Sequence, residues 1–225
     1  MKTIGLIGGM SWEASARYYK LINEGVRDKL GELHSANIVM SSMDFYELEK
    51  LQKSHRWGEA AMLISKEANN LIGIDALAIC SVTGHEGSGL ISSEVDVPLL
   101  HIADAINDRT NGIDKVGLLG TKYTMEMGYF KDKINAEVVI PGDCNVVNDI
   151  IYKELCLGEI KESSREIFKT IINDMVVMGA KAVILGCTEV GLLIGQRDTD
   201  IPIFDSTKIH SKAIVDYACS SVHNL

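Results

Sequence analysis

Short runs of aliphatic and β-branched residues alternate along this chain with longer stretches whose apolar positions recur every three to four residues. The short runs predict strands buried on both faces, the longer ones predict amphipathic helices, and their alternation predicts a parallel α/β sheet. Strands are expected at Thr3–Ile7, Ala36–Met40, Ala76–Cys80, Leu99–Ile102, Val116–Leu119, Glu137–Ile140, Ala182–Leu185 and Ile203–Phe204. Helices are expected at Glu13–Leu30, Gly58–Leu71, Met125–Lys133, Cys144–Leu155, Ser163–Met178 and Ile209–Ser220. Gly179 stands just past the last apolar turn of its helix and reads as a left-handed C′ residue, with a strand following directly.

The pattern repeats. Ile4-Gly5-Leu6-Ile7-Gly8 recurs as Val116-Gly117-Leu118-Leu119-Gly120, and Ala76–Ser81 recurs as Ala182–Cys187, at nearly equal offsets. The expected fold is therefore α/β with two pseudo-symmetric domains, each a mainly parallel sheet flanked by helices. The first would span residues 1–98 and the second 99–207, with a C-terminal helix over 208–225 packing back onto the first. Ligands of open α/β sheets bind at the carboxyl ends of strands, so the duplication predicts an active-site cleft between the halves. In that pairing Ser81 is the counterpart of Cys187.

Composition narrows the function classes. The 225 residues are 46% hydrophobic and 24% charged, a globular balance, and the net charge of −9 offers no basic field for nucleic acid or an anionic membrane. No signal sequence and no membrane-length apolar run is evident, so a cytoplasmic location is expected. The five cysteines are odd in number and irregularly spaced, without a C-x-x-C pair or a zinc-type histidine arrangement. That predicts neither a disulfide framework nor a metal.

Candidate chemistry lies at the strand ends. Gly5–Met10 runs from a strand into a helix, which suits a phosphate loop or a turn whose amides face a small carboxylate; it lacks G-x-G-x-x-G and the Walker lysine. Cys187, in Gly186-Cys187-Thr188-Glu189, is either an acid/base thiol near amides and hydroxyls or a small buried apolar residue. In Cys80-Ser81-Val82-Thr83-Gly84-His85, Ser81 and Thr83 supply hydroxyls. His85 is either a general base, or a group that orients one, or a hydrogen-bonded structural residue. Strand alternation turns Cys80 away from Ser81, and Cys80, Cys144, Cys156 and Cys219 read as structural. Thr121, Tyr123 and Thr124 suit a carboxylate ligand or a helix N-cap with Glu126 in its first turn. The charge-rich stretches 44–53 and 161–165 read as solvated helix faces.

Taken together these residues resemble the aspartate/glutamate racemase family. The matching strings are Met1–Glu13, Leu33–Ala36, Leu99–Asp104, Val116–Glu126, Ile151–Gly158, Gly186–Leu193 and Phe204–His210, in order along the whole chain. The resemblance implies a cofactor-independent racemase of aspartate or glutamate using two acid/base groups on opposite faces of the α-carbon, no metal, and a homodimer. Cys187 matches the second catalytic cysteine. The first position falls on Ser81, a hydroxyl where most relatives carry a thiol, and Val82 stands where asparagine is expected. Met10, Gln52, Val82, Thr83, Thr121, Thr124, Thr188 and Glu189 match substrate-lining positions, His85 an auxiliary one, and Lys161 a position where some relatives place a cation. The Ser81 and Val82 departures point as well to a single-thiol enzyme similar to the arylmalonate decarboxylases, or to a catalytically weak homologue that binds a dicarboxylate or amino acid.

Overall fold

The computed structural model describes residues 1–222, so residues 223–225 of the expected terminal helix lie outside the described residues. The chain divides into two compact units. One comprises Met1–His101 with the described residues from His210 onward, and the other Ile102–Ile209.

In the first unit β1 (Thr3–Gly8) lies between β2 (Asn37–Ser42) and β3 (Ala76–Ile79), all parallel. Parallel neighbours need crossovers, and helices supply them on both faces. Ile4, Leu6, Ala76, Ala78 and Cys80 pack beneath α1 (Trp12–Leu30) and α11 (Ser206–Cys219). Ile7, Leu77 and Ile79 pack on the opposite face against α2 (Phe45–Lys53), α3 (Trp57–Asn69) and α4 (Ser88–Glu94). The strict alternation of these two sets puts Cys80 in one core and its neighbour Ile79 in the other.

The second unit repeats the plan. Its order is β5 (Glu137–Val139), β4 (Lys115–Gly120), β6 (Val183–Gly186), β7 (Ile203–Asp205), again all parallel. The register repeats too: Gly5 pairs with Leu77, and its counterpart Gly117 pairs with Val183. Helices α5 (Ile102–Thr110), α6 (Lys122–Glu126), α7 (Gly128–Lys131), α8 (Cys144–Lys153), α9 (Glu162–Val177) and α10 (Val190–Leu193) complete the unit. Gly179 follows α9 with φ of +98°, the left-handed conformation in which glycine carries no Cβ penalty.

Four local expectations are corrected. Leu99–Ile102 makes a single bridge to β3, Leu77 with Leu99, rather than a strand. The apolar run is cut short because Ile102, Ala103, Ala105 and Ile106 bury one face of α5, so helical periodicity takes over. The helix expected over Met125–Lys133 is two short helices, since Met127 is extended (ψ 150°) and caps α7. Glu126 ends α6 rather than opening it, and pairs with Lys122. The stretch 44–53 is a helix capped by the Asp44 carboxylate, but it is not solvated all round: Leu48 and Gln52 are buried. Among the described residues, no helix is long and apolar enough to cross a membrane.

Candidate active site

Strands buried on both faces leave their carboxyl ends as the places where polar groups converge. At the end of β1, Gly9 has φ of +92°, and a Cβ there would lie 2.0 Å from the Met43 carbonyl oxygen, so this turn admits only glycine. The Gly9 amide donates to Ser15 Oγ at 2.7 Å, and that hydroxyl donates to the Ser11 carbonyl. The loop's hydrogen-bonding capacity is thus spent partly on itself: Ser11 caps α1 through the Ala14 amide, and the Gly9 amide is not presented to a carboxylate or phosphate.

Beside it, β3 ends in a tight turn, Thr83–His85, that holds Ser81 from two sides. The Gly84 amide donates to Ser81 Oγ at 3.2 Å, and His85 Nδ1 meets the Ser81 carbonyl oxygen at 2.7 Å. His85 thus binds the Ser81 main chain, not its hydroxyl. Met10 reaches the same turn, its Sδ 3.4 Å from where a Gly84 Cβ would stand. Val82 and Thr83 are buried, as is Gln52 on α2, whose Oε1 has no partner among the described residues.

The corresponding end of the second unit is built around a carboxylate. Cys187 Sγ donates to Glu189 Oε2 at 3.0 Å, and Thr188 Oγ1 donates to the same oxygen at 2.6 Å. All three residues are buried, Cys187 being 7% exposed. Burial pushes the Cys187 thiol well above its ordinary range, and the adjacent Glu189 charge pushes it further. At rest, Cys187 is therefore a neutral thiol donating to a base. Thr121 caps α6 through the Thr124 amide, and Thr124 Oγ1 bonds both Thr121 Oγ1 (3.2 Å) and Tyr129 Oη (2.8 Å). Gly120 and Gly186 let these segments meet: a Cβ on Gly120 would lie 2.7 Å from the Gly186 carbonyl oxygen, and one on Gly186 would lie 3.1 Å from Thr124 Cγ2.

Of the residues singled out in the sequence, the structure therefore joins Met10, Ser81 and His85 in one unit, and Thr121 and Thr124 with the Cys187–Glu189 segment in the other. Lys161 is half exposed and ion-paired with Glu159 at 2.8 Å and Glu154 at 3.4 Å. Cys80, with no charge partner, is held protonated by burial alone. Three residues escaped the sequence reading: Tyr129, which fixes Thr124, and His101 and His210, which stack beside His85. The signal for the histidines was their presence in two of the strings matched to relatives, Leu99–Asp104 and Phe204–His210.

A family model described as Asp/Glu/Hydantoin racemase matches residues 7–214. The chain belongs to the Asp/Glu/hydantoin racemase family. Among solved structures, a "putative Asp/Glu racemase" from Yersinia pestis is 44% identical, with 97% of this chain and 99% of that one covered and a TM-score of 0.89. An aspartate racemase homologue from Pyrococcus horikoshii is 34% identical, covering 97% of this chain and 99% of its own, at a TM-score of 0.82. The aspartate racemase of Picrophilus torridus, 23% identical with 97% and 94% covered and a TM-score of 0.79, shares the fold. The two parallel sheets flanked by helices are thus the architecture of this racemase family.

Two outcomes follow for this racemase-family chain. Glu189→Gln removes the charge facing the thiol, lowers the Cys187 pKa and raises the thiolate fraction. Alkylation of Cys187 by iodoacetamide at pH 8, followed by mass spectrometry, is expected to quicken about tenfold, one pKa unit's worth; an unchanged rate would show that the carboxylate does not govern the thiol. The second concerns His210, which burial pushes down to about 4. The unfolded chain takes up a proton near pH 6.5 that the folded chain refuses until about 4, so stability is lost as pH falls through that window. Urea midpoints at pH 7.5 and 5.0 should show the loss, and His210→Gln should reduce it, leaving the share of His85, which burial also holds low.

Proposed function

We propose that the chain is a cofactor-independent racemase interconverting L- and D-aspartate or glutamate, with Cys187 and Ser81 as its two acid/base groups. The observation that carries this reading is the Cys187–Glu189 contact, a buried thiol hydrogen-bonded to a buried carboxylate. Inverting an α-carbon requires a proton to leave one face and another to arrive on the opposite face. Glu189 takes the S–H proton, and the resulting thiolate takes the α-proton and becomes a thiol again. Ser81 then delivers its hydroxyl proton to the other face of the carbanion. The Gly84 amide donates to the Ser81 oxygen and so favours the alkoxide left behind, while the proton on Glu189 returns to Ser81 through solvent. In the reverse direction each step runs backwards.

Thr83 and Thr121 supply the α-carboxylate with hydroxyl donors that stabilise developing charge without a cofactor, and Thr188, whose hydroxyl donates to Glu189 at rest, joins them once Glu189 has taken the thiol proton. Met10, Gln52, Val82 and Thr124 line the substrate. Val82 lacks the amide that relatives place there, so a substrate group left unpaired beside it costs about 1–3 kcal/mol.

A second reading has one observation in its favour. Cys80 lies in the core among Ile4, Leu6 and the helices over them, so of the two thiols that follow β3 and β6 among the described residues only Cys187 stands among polar partners. One-sided protonation of a carbanion would then suffice, as in decarboxylation of a substituted malonate. Chiral chromatography of aspartate and glutamate separates the two. Racemisation that falls about 10²–10⁴-fold in Cys187→Ala and markedly in Ser81→Ala supports the first reading. Carbon dioxide release from a substituted malonate without racemisation replaces it with the second, and neither reaction overturns both.

A further inference from the structure

The turn that carries Ser81 rests on three stacked imidazoles that the proposed chemistry does not use. The His85 ring centroid lies 4.7 Å from that of His101 and 5.8 Å from that of His210, both edge to face. His210 Nε2 meets the Leu100 carbonyl oxygen at 2.7 Å, and its Nδ1 meets the Tyr18 hydroxyl at 2.9 Å. A carbonyl can only accept, so Nε2 carries the proton and Nδ1 accepts from Tyr18. His210 is therefore neutral and locked in one tautomer, with both nitrogens satisfied.

His85 is held in one tautomer in the same way. Its Nδ1 faces the Ser81 carbonyl oxygen at 2.7 Å and so carries the proton. Its Nε2 is fully buried and has no hydrogen-bond partner among the described residues. A second proton on Nε2 would create a buried cation with no counter-ion, facing two more imidazoles. The titratable groups that face His85 are His101, on the segment leading into α5, and His210 on α11, with the Tyr18 phenol of α1 beyond it. None of them is a carboxylate. Burial first, and these imidazoles second, hold His85 well below the ordinary histidine range. The described His, Cys, Asp and Glu side chains are also not grouped to hold a metal ion, so the stack does not read as a ligand set.

A buried lone pair without a partner is a cost that native structures rarely carry, and here it is the consequence of directing Nδ1–H at the Ser81 main chain. We propose that His85 is the positioning residue of the Ser81 turn, acting only as the neutral Nδ1–H tautomer that the Ser81 carbonyl selects. This deepens the racemase reading and rests on it for its effect on turnover. His85 sets where the Ser81 oxygen stands and moves no proton itself.

Asparagine and glutamine separate this role from a merely structural one, because an asparagine amide nitrogen stands near the place of Nδ1 and a glutamine amide nitrogen near that of Nε2. His85→Asn is expected to keep kcat within about threefold of wild type. His85→Gln should lose at least tenfold in kcat with KM nearly unchanged. Equal kcat in the two variants would overturn the proposal. Two readouts are independent of turnover. Long-range 1H–15N NMR of histidine-labelled wild type should show His85 protonated at Nδ1 alone from pH 8 to pH 5.5; an Nε2–H tautomer, or titration near 6.5, would overturn it. The Gly84 amide resonance should stay in place in His85→Asn and shift in His85→Gln; the reverse would also overturn it. If wild type racemises nothing, the racemase reading fails and these two spectra still decide the positioning claim.

Discussion

A parallel strand buried on both faces can present chemistry only where it ends, and that constraint organises this molecule. Within β1, β3, β4 and β6 nearly every side chain is committed to a core, so the first residues free to be polar are Ser81 after β3 and Cys187 after β6. The shared register, Gly5 with Leu77 and Gly117 with Val183, makes those two ends structural equivalents. Backbone pairing, not local motif, therefore determines which residue of each strand-end string leaves the core. It assigns Cys80 to the core and the next residue, Ser81, to the turn.

The two equivalent ends are tuned in opposite ways. Cys187 is buried against a carboxylate that it shares with Thr188, which keeps the thiol protonated but gives its proton a destination. Ser81 is set among donors, with the Gly84 amide on its hydroxyl oxygen and His85 on its carbonyl. The carboxylate beside the thiol favours its neutral form, whereas the amide donating to the Ser81 oxygen favours the alkoxide.

Much of this was legible in the sequence, for definite reasons. Fully buried parallel strands read as continuous apolar runs, so β1, β3, β4 and β6 and their repetition were visible directly. Leu99–Ile102 misled because Leu99, Leu100 and Ile102 read as one buried strand, whereas Leu99 makes a single bridge and Ile102 opens α5. Glu189 stood out in the sequence as a candidate, but its bond to Cys187 depends on side-chain directions that spacing does not encode. The histidine stack was illegible because it is assembled across the chain: His210 bonds the Leu100 carbonyl 110 positions away, and Tyr18 from 192 positions away. Only the folded chain brings such groups together.

The proposed racemase uses two different groups to handle the proton on the two faces of one carbon. Its most direct test is the initial fate of solvent deuterium, followed by NMR with L- and D-aspartate as separate starting materials. Two distinct groups require the label to appear first in the product enantiomer from either direction, while the remaining substrate stays protiated. Label returning to the starting enantiomer as fast as it enters the product would show a single group serving both faces, and would contradict the account.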